Sequence, residues 1–142
     1  MRIRLGYVAI ALNLDKVTSS STLTYSRYLK MDEENRLKKL KEVTYSNIEA
    51  LEKILGYNIE NNIHFYRMTS NFIPLATHPD VMWDYLKYFK KDLEYIGKLI
   101  KDNNLRVDAH PDQFNVINSD KESVVEKYFK ELLIMQVIYL KL

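Results

Sequence analysis

The chain has 142 residues, 46% of them hydrophobic, with 21 lysines and arginines against 19 acids for a formal charge of +2, and it contains no cysteine. That length suits one domain burying about two thirds of its extended surface, and the near balance of charge excludes a nucleic-acid binder driven by a basic tail or stripe. The missing cysteines exclude disulfides, thiolate metal sites and thiol catalysis, and fit a reducing compartment, so the cytoplasm is the expected location.

Ile3, Leu5 and Tyr7 alternate with Arg2, Arg4 and Gly6, and the apolar Val8-Ala-Ile-Ala-Leu12 continues them. The period of two predicts a buried strand near residues 2–9 with Tyr7 toward its end. Arg2 and Arg4 keep this run from reading as a signal peptide, and no run approaches the roughly 20 apolar residues of a membrane span. Residues 13–24 are polar and rich in hydroxyls, too long for a tight turn, and read equally as a functional or a surface loop. Asp32, Glu33 and Glu34 then place negative charge where a helix N-terminus favours it, and Leu37, Leu40, Val43, Ile48, Leu51 and Ile54 recur at helical spacing. A helix near 33–55 is expected, with Gly56 as its C′ residue.

A second strand is predicted over 63–68, with Arg67 at its C-terminal end and His64 as a packing histidine. Residues 70–79 form a loop apolar enough to pack. Met82, Leu86, Phe89, Leu93, Ile96 and Ile100 step by four and three, predicting a helix near 81–102 that starts about Asp80 and stops at Asn103-Asn104. Lys87, Lys90, Lys91 and Lys98 fall on its solvated side. Leu105, Val107 and Ala109 alternate with Arg106, Asp108 and His110 in a third strand over 105–110, which Pro111 must stop because it cannot donate to a sheet ladder. A loop carrying Asp112, Gln113, Phe114 and Asn115 follows. Ser119-Asp-Lys-Glu122 then reads as a capping box starting a helix near 120–138, apolar nearly all round from Leu132.

Strand and helix alternating three times predict an α/β fold of parallel βαβ units. A full (β/α)8 barrel takes about 250 residues, so the chain reads as a single partial TIM-type barrel domain over 1–142 with about three βα units. Either it is truncated at its C-terminus, or a partner, which could be a second copy, covers the open edge.

His78 and His110 each precede a proline, at or just beyond a strand's C-terminal end, where βα proteins place their chemistry. Neutral imidazole is the commonest metal ligand, but the spacing is nonlocal and no carboxylate pattern accompanies it. Arg67 is either a bidentate clamp on phosphate or carboxylate, or half of an ion pair across a barrel floor. Tyr7 is one of eleven tyrosines, so composition gives it no special claim. Phe114, beside Gln113, either tucks under a neighbouring loop or protrudes toward a ligand.

Arg4-Leu-Gly-Tyr7, Phe65-Tyr-Arg67 running through Asn71-Phe-Ile-Pro-Leu-Ala-Thr-His-Pro79, and His110-Pro-Asp-Gln-Phe-Asn115 followed by Val124-Val-Glu126 resemble the ultraviolet DNA damage endonucleases. The likeness covers essentially the whole chain and about the first half of the family. It implies a barrel of the xylose isomerase-like superfamily that nicks damaged double-stranded DNA 5′ to ultraviolet photoproducts, by phosphodiester hydrolysis with divalent metal ions, usually manganese. By the same resemblance His110 is a metal ligand, and His78 lies at the edge of the active site near the scissile phosphate, as a catalytic group or a second ligand. Tyr7 belongs to the catalytic mouth, with Arg67 beside it, while Gln113 and Phe114, with Asn115 following, probe the duplex at the lesion.

Two departures from the family pattern stand out. Asp112 replaces a common glycine, and the run after Tyr7 carries an insertion relative to some members, which leaves open whether Asn13 matches an active-site asparagine. The family's remaining metal ligands come from later strands, so this chain alone is expected to bind metal weakly and to leave DNA uncut. A sugar isomerase or epimerase on the same barrel, or a fragment without catalysis, are the alternatives.

Overall fold

The computed structural model describes residues 3–8, 10–69, 72–110, 119–126 and 129, with Ala109 and His110 as backbone only. Three strands, β1 (Gly6–Val8), β2 (Phe65–Thr69) and β3 (Arg106–His110), lie side by side in that order and all parallel. Between them run α1 (Tyr25–Leu29), α2 (Glu33–Glu60) and α3 (Leu86–Asp102). Residues 122–126 and 129 are helical, as the capping box predicted, and residues 127, 128 and 130–138 of that prediction lie outside the described residues. Among the described residues no helix is long and apolar enough to cross a membrane.

The alternation of strand side chains assigns the two faces of the sheet. Tyr66 and Met68 point into the core, where Leu51, Ile54 and Leu55 of α2 meet Phe89, Leu93 and Ile96 of α3. Each fully buried aliphatic side chain in that seam contributes roughly 1.5–3 kcal/mol. Phe65, Arg67 and Thr69 point the other way and are half-buried. Both long helices therefore cover one face, and among the described residues no helix covers the opposite one.

α2 runs past Gly56, against expectation, because its buried stripe continues through Asn58. The stop is the asparagine pair that follows. Asn61 caps the helix, its Nδ2 donating to the Tyr57 carbonyl at 2.8 Å, and Asn62 takes the left-handed φ of 55°. α3 ends identically, with Asn103 Nδ2 on the Leu99 carbonyl at 2.9 Å and Asn104 at φ 52°. Asparagine tolerates this conformation better than other side-chain-bearing residues.

α3 also begins later than its apolar spacing suggested. Residues 78–85 are turns in which the Val81 and Met82 amides donate to the His78 carbonyl at 3.0 Å. Exposed Met82, at φ 28°, is no part of the helical stripe. Asp84 supplies the helix start, its Oδ1 accepting the Lys87 N–H at 3.2 Å.

The opening run is not the buried strand its composition predicted: Ile3 is 86% and Leu12 90% exposed, and of this run Tyr7 and Ala11 pack on the core. β1 pairs on one side, with β2, and the chain leaves it in a tight turn that joins the Ile10 N–H to the Val8 carbonyl at 2.7 Å. The loops after β1 and β2 are secured elsewhere. Asn47, fully buried on α2, accepts the Ser21 N–H at 2.9 Å and donates to the Ser21 carbonyl at 2.8 Å and the Phe72 carbonyl at 2.9 Å.

Gly6 is fixed by its neighbour rather than by its own dihedrals. A Cβ there would lie 2.5 Å from both the Cβ and the carbonyl oxygen of Phe65, well inside contact distance. Gly6→Ala must push β1 away from β2, and a loss of about 1–3 kcal/mol is expected for such overpacking. Urea unfolding should show a lower midpoint at unchanged slope; a midpoint equal to the parent's would mean that the strand pair yields freely.

Candidate active site at the strand ends

On the face turned away from the helices, the register sets Phe65 beside Arg106, Arg67 beside Asp108 and Thr69 beside His110. Arg106 bonds Asp108 through Nη2–Oδ2 at 3.1 Å and Nε–Oδ1 at 3.3 Å, and its guanidinium lies 5.6 Å from the Phe65 ring centroid. Asp108 is thus engaged within its own strand. Arg67, its cross-strand neighbour, makes no hydrogen bond or ion pair among the described residues, so no acid of these residues engages it across the floor. Arg67 keeps its full fork of donors for an oxyanion.

Tyr7 belongs to the opposite face. It is the register partner of Tyr66, not of Arg67, with ring centroids 5.3 Å apart. Its hydroxyl donates to Asn58 Oδ1 at 2.8 Å, and burial, with the neighbouring Tyr66, pushes the phenol up to about 12. The expectation that Tyr7 shares a mouth with Arg67 is therefore corrected: strand parity turns it toward α2. Asn13 is placed beside it, donating to the Tyr57 hydroxyl at 2.8 Å in a shallow cleft lined by Tyr7, Ile10, Tyr57 and Ile63.

His78 lies in the loop between β2 and α3, packed as predicted through Phe72, Ile73, Pro74 and Ala76 and pinned by Trp83 Nε1 on the Pro74 carbonyl at 3.0 Å. Its ring is stacked on Tyr25, and its Nδ1 accepts the Asp80 N–H at 3.3 Å. The structure thus sets Arg67 and the His110 backbone on one face, brings His78 against Tyr25 from the preceding loop, and turns Tyr7 away. The His110 side chain, Asp112, Gln113, Phe114 and Asn115 lie outside the described residues.

Tyr25 and Asn47 escaped the sequence reading, which met Asp80 only as the start of a helix. An available signal for Asn47 was its position three residues after Thr44 and four before Leu51, on the buried stripe of α2. Among the described residues no group of three or more histidines, aspartates or glutamates could hold a metal ion. His78 and Asp80 alone are too few donors for a hard divalent cation, so these residues do not fit such an ion and no step is routed through one.

Tyr7→Phe would leave the Asn58 carboxamide, in a residue 1% exposed and with no partner for Nδ2 among the described residues, without its remaining hydrogen bond. A cost of about 1–3 kcal/mol is expected, in urea midpoints, for that orphaned group. In the folded chain burial, with the neighbouring Tyr66, pushes the Tyr7 phenol up to about 12, above the ordinary value of about 10. The unfolded chain therefore loses this proton first as pH rises, so the stability tied to it is complete below pH 10 and drains away between there and about 12. The parent should lose stability across that window more steeply than Tyr7→Phe; parallel curves would contradict the assignment.

The family model of the UV-endonuclease UvdE matches residues 3–140. A UV DNA damage endonuclease of Bacillus cereus (strain Q1) is 42% identical over 124 residues, which are 87% of this chain and 39% of that protein. Its counterpart from Bacillus anthracis is 41% identical over the same shares. The solved structure titled "Crystal Structure of SacUVDE" superposes with a TM-score of 0.86 at 32% identity, covering 99% of this chain and 46% of that one. The chain thus spans under half the length of these relatives, and its parallel α/β units have their TIM-barrel-like fold. By a match that takes in β1, β2, β3 and the helices between them, the chain belongs to the UV-endonuclease UvdE family.

Proposed function

We propose that the protein is a DNA repair endonuclease that nicks damaged duplex DNA on the 5′ side of ultraviolet photoproducts by metal-dependent phosphodiester hydrolysis, and that this partial barrel domain forms one wall of its active site. The observation carrying the reading is Arg67, an arginine without an acceptor among the described residues, on the open face of the sheet in a chain of this family. When water adds to phosphorus and the bond to the leaving oxygen breaks, charge gathers on the phosphate oxygens. A guanidinium fork is suited to that charge. His78 would donate from Nε2 to a phosphate oxygen. Tyr7, turned toward α2, serves the sheet–helix layer in this reading.

Divalent metal ions, manganese by the resemblance, with His110 among their ligands, belong to the same proposal, as do Gln113, Phe114 and Asn115 as the loop that meets the lesion; His78, with Nδ1 engaged by the Asp80 N–H and Nε2 turned to phosphate, is left out of the ligand set in this reading. A damaged step is already partly unstacked, so a wedge costs less there than in intact duplex. A cytoplasmic location and self-association of this chain through the open barrel edge complete the reading. Sedimentation finding only monomers at high concentration would count against that pairing.

In the full-length protein, Phe114→Ala is expected to weaken binding to irradiated duplex by about five- to a hundredfold, the worth of one stacked base, with metal content intact. His110→Ala should lower metal content and nicking with much less effect on binding. If Phe114→Ala discriminates damage as the parent does, the probing role is lost. The isolated chain should take up manganese only weakly, since a hard divalent ion wants several oxygen ligands; a stoichiometric, tight calorimetric titration would contradict this.

A further inference from the structure

Two segments far apart in sequence, the short helix α1 and the loop after β2, meet in one flat contact. The ring of Tyr25, on α1, lies on the imidazole of His78 with centroids 4.0 Å apart and planes 22° from parallel. Tyr28 backs Tyr25 at 6.2 Å and 18°. Arg36 of α2 lies 5.1 Å from the Tyr28 ring centroid, while its Nε and Nη2 donate to the Tyr28 and Leu29 carbonyls, each at 3.1 Å. The row His78, Tyr25, Tyr28, Arg36 is therefore anchored at the head of a long helix, and the imidazole cannot tilt without disturbing it.

Asp80 closes the edge of the same ring. Its N–H donates to Nδ1 at 3.3 Å, and its carboxylate lies 4.0 Å from that nitrogen. A nitrogen that accepts an N–H carries no proton of its own, so the neutral imidazole holds its hydrogen at Nε2, on the far side of the ring from Asp80. Leu75 and Met82 bracket the segment at φ 55° and 28°. Such left-handed residues persist only where surrounding contacts over-determine the backbone.

We propose that Tyr25 and Asp80 are positioning residues for His78: the stack fixes the plane of the imidazole, Asp80 fixes its tautomer, and Nε2–H is thereby presented to an oxygen of the substrate phosphate. The inference rests on the reading above that His78 serves the DNA phosphodiester. Neither positioning residue forms or breaks a bond to substrate.

Two measurements test it. Long-range proton–nitrogen NMR of the chain, with His78 assigned through His78→Gln, should show a single Nε2–H tautomer. That state should be retained in Tyr25→Phe, which keeps the stack, and lost in Tyr25→Leu. Identical spectra in parent and Tyr25→Leu would overturn the positioning role. In the full-length protein, Tyr25→Leu should lower kcat for nicking irradiated duplex on the order of 10- to 100-fold, the scale of a misplaced reacting group, with KM nearly unchanged. Tyr25→Phe should restore most of the loss, and Tyr25→Leu should cost nothing further in a His78→Ala background. An equal loss in that background would mean that Tyr25 acts independently of His78, against the proposal. If His78→Ala itself nicks normally, the role of His78 falls, while the spectra still decide whether Tyr25 and Asp80 fix the ring.

Discussion

The carboxamide of Asn47 carries the geometry of this structure. It is one side chain on α2, wholly withdrawn from water, and all three of its hydrogen bonds go to loop backbone: two to Ser21 and one to Phe72. Ser21 belongs to the connection after β1 and Phe72 to the connection after β2, so a single amide holds both loops against one helix. A buried amide is costly unless its oxygen and nitrogen are both used, which makes the alternative loop positions unfavourable rather than merely unoccupied. Tyr25 follows Ser21 by four residues and His78 follows Phe72 by six. Their stacking is downstream of this staple.

The fold was largely legible because it depends on periodicity. Alternation in three short runs located the strands, and their separation by helical spacing made parallel pairing the natural outcome. Where the reading failed, one local signal had been ranked above another. Gly56 looked like a terminator, yet glycine is tolerated inside a helix whose buried stripe continues, and Asn61-Asn62 ended α2 as Asn103-Asn104 ended α3. Met82 fitted an apolar stripe by spacing alone. The turn closed on the His78 carbonyl, together with Asp84 as an N-terminal acceptor, set the true start of α3.

The site was legible in parts. Parity placed Arg106, Asp108 and His110 on one face of β3, and the structure keeps that order in the backbone. Parity cannot say how neighbouring strands slide against each other, and that register put Tyr7 beside Tyr66 instead of Arg67. The Tyr25–His78 contact had no signature at all. It arises from α1 and the loop after β2 folding toward each other, and nothing in either segment names the other.

The pairing of Arg106 with Asp108 has an electrostatic consequence. By absorbing the carboxylate within its own strand, Arg106 leaves two cations and one anion among the charged residues of that ladder, so the open side of the sheet holds a surplus positive charge at Arg67. Such a charge on a half-buried side chain, with low-dielectric protein behind it, is less screened than one on an outer helix, where mobile ions attenuate fields over about 8–10 Å at physiological ionic strength. The overall charge of the molecule, averaged over lysines that face bulk solvent, is therefore a poor guide to what an approaching polyanion encounters.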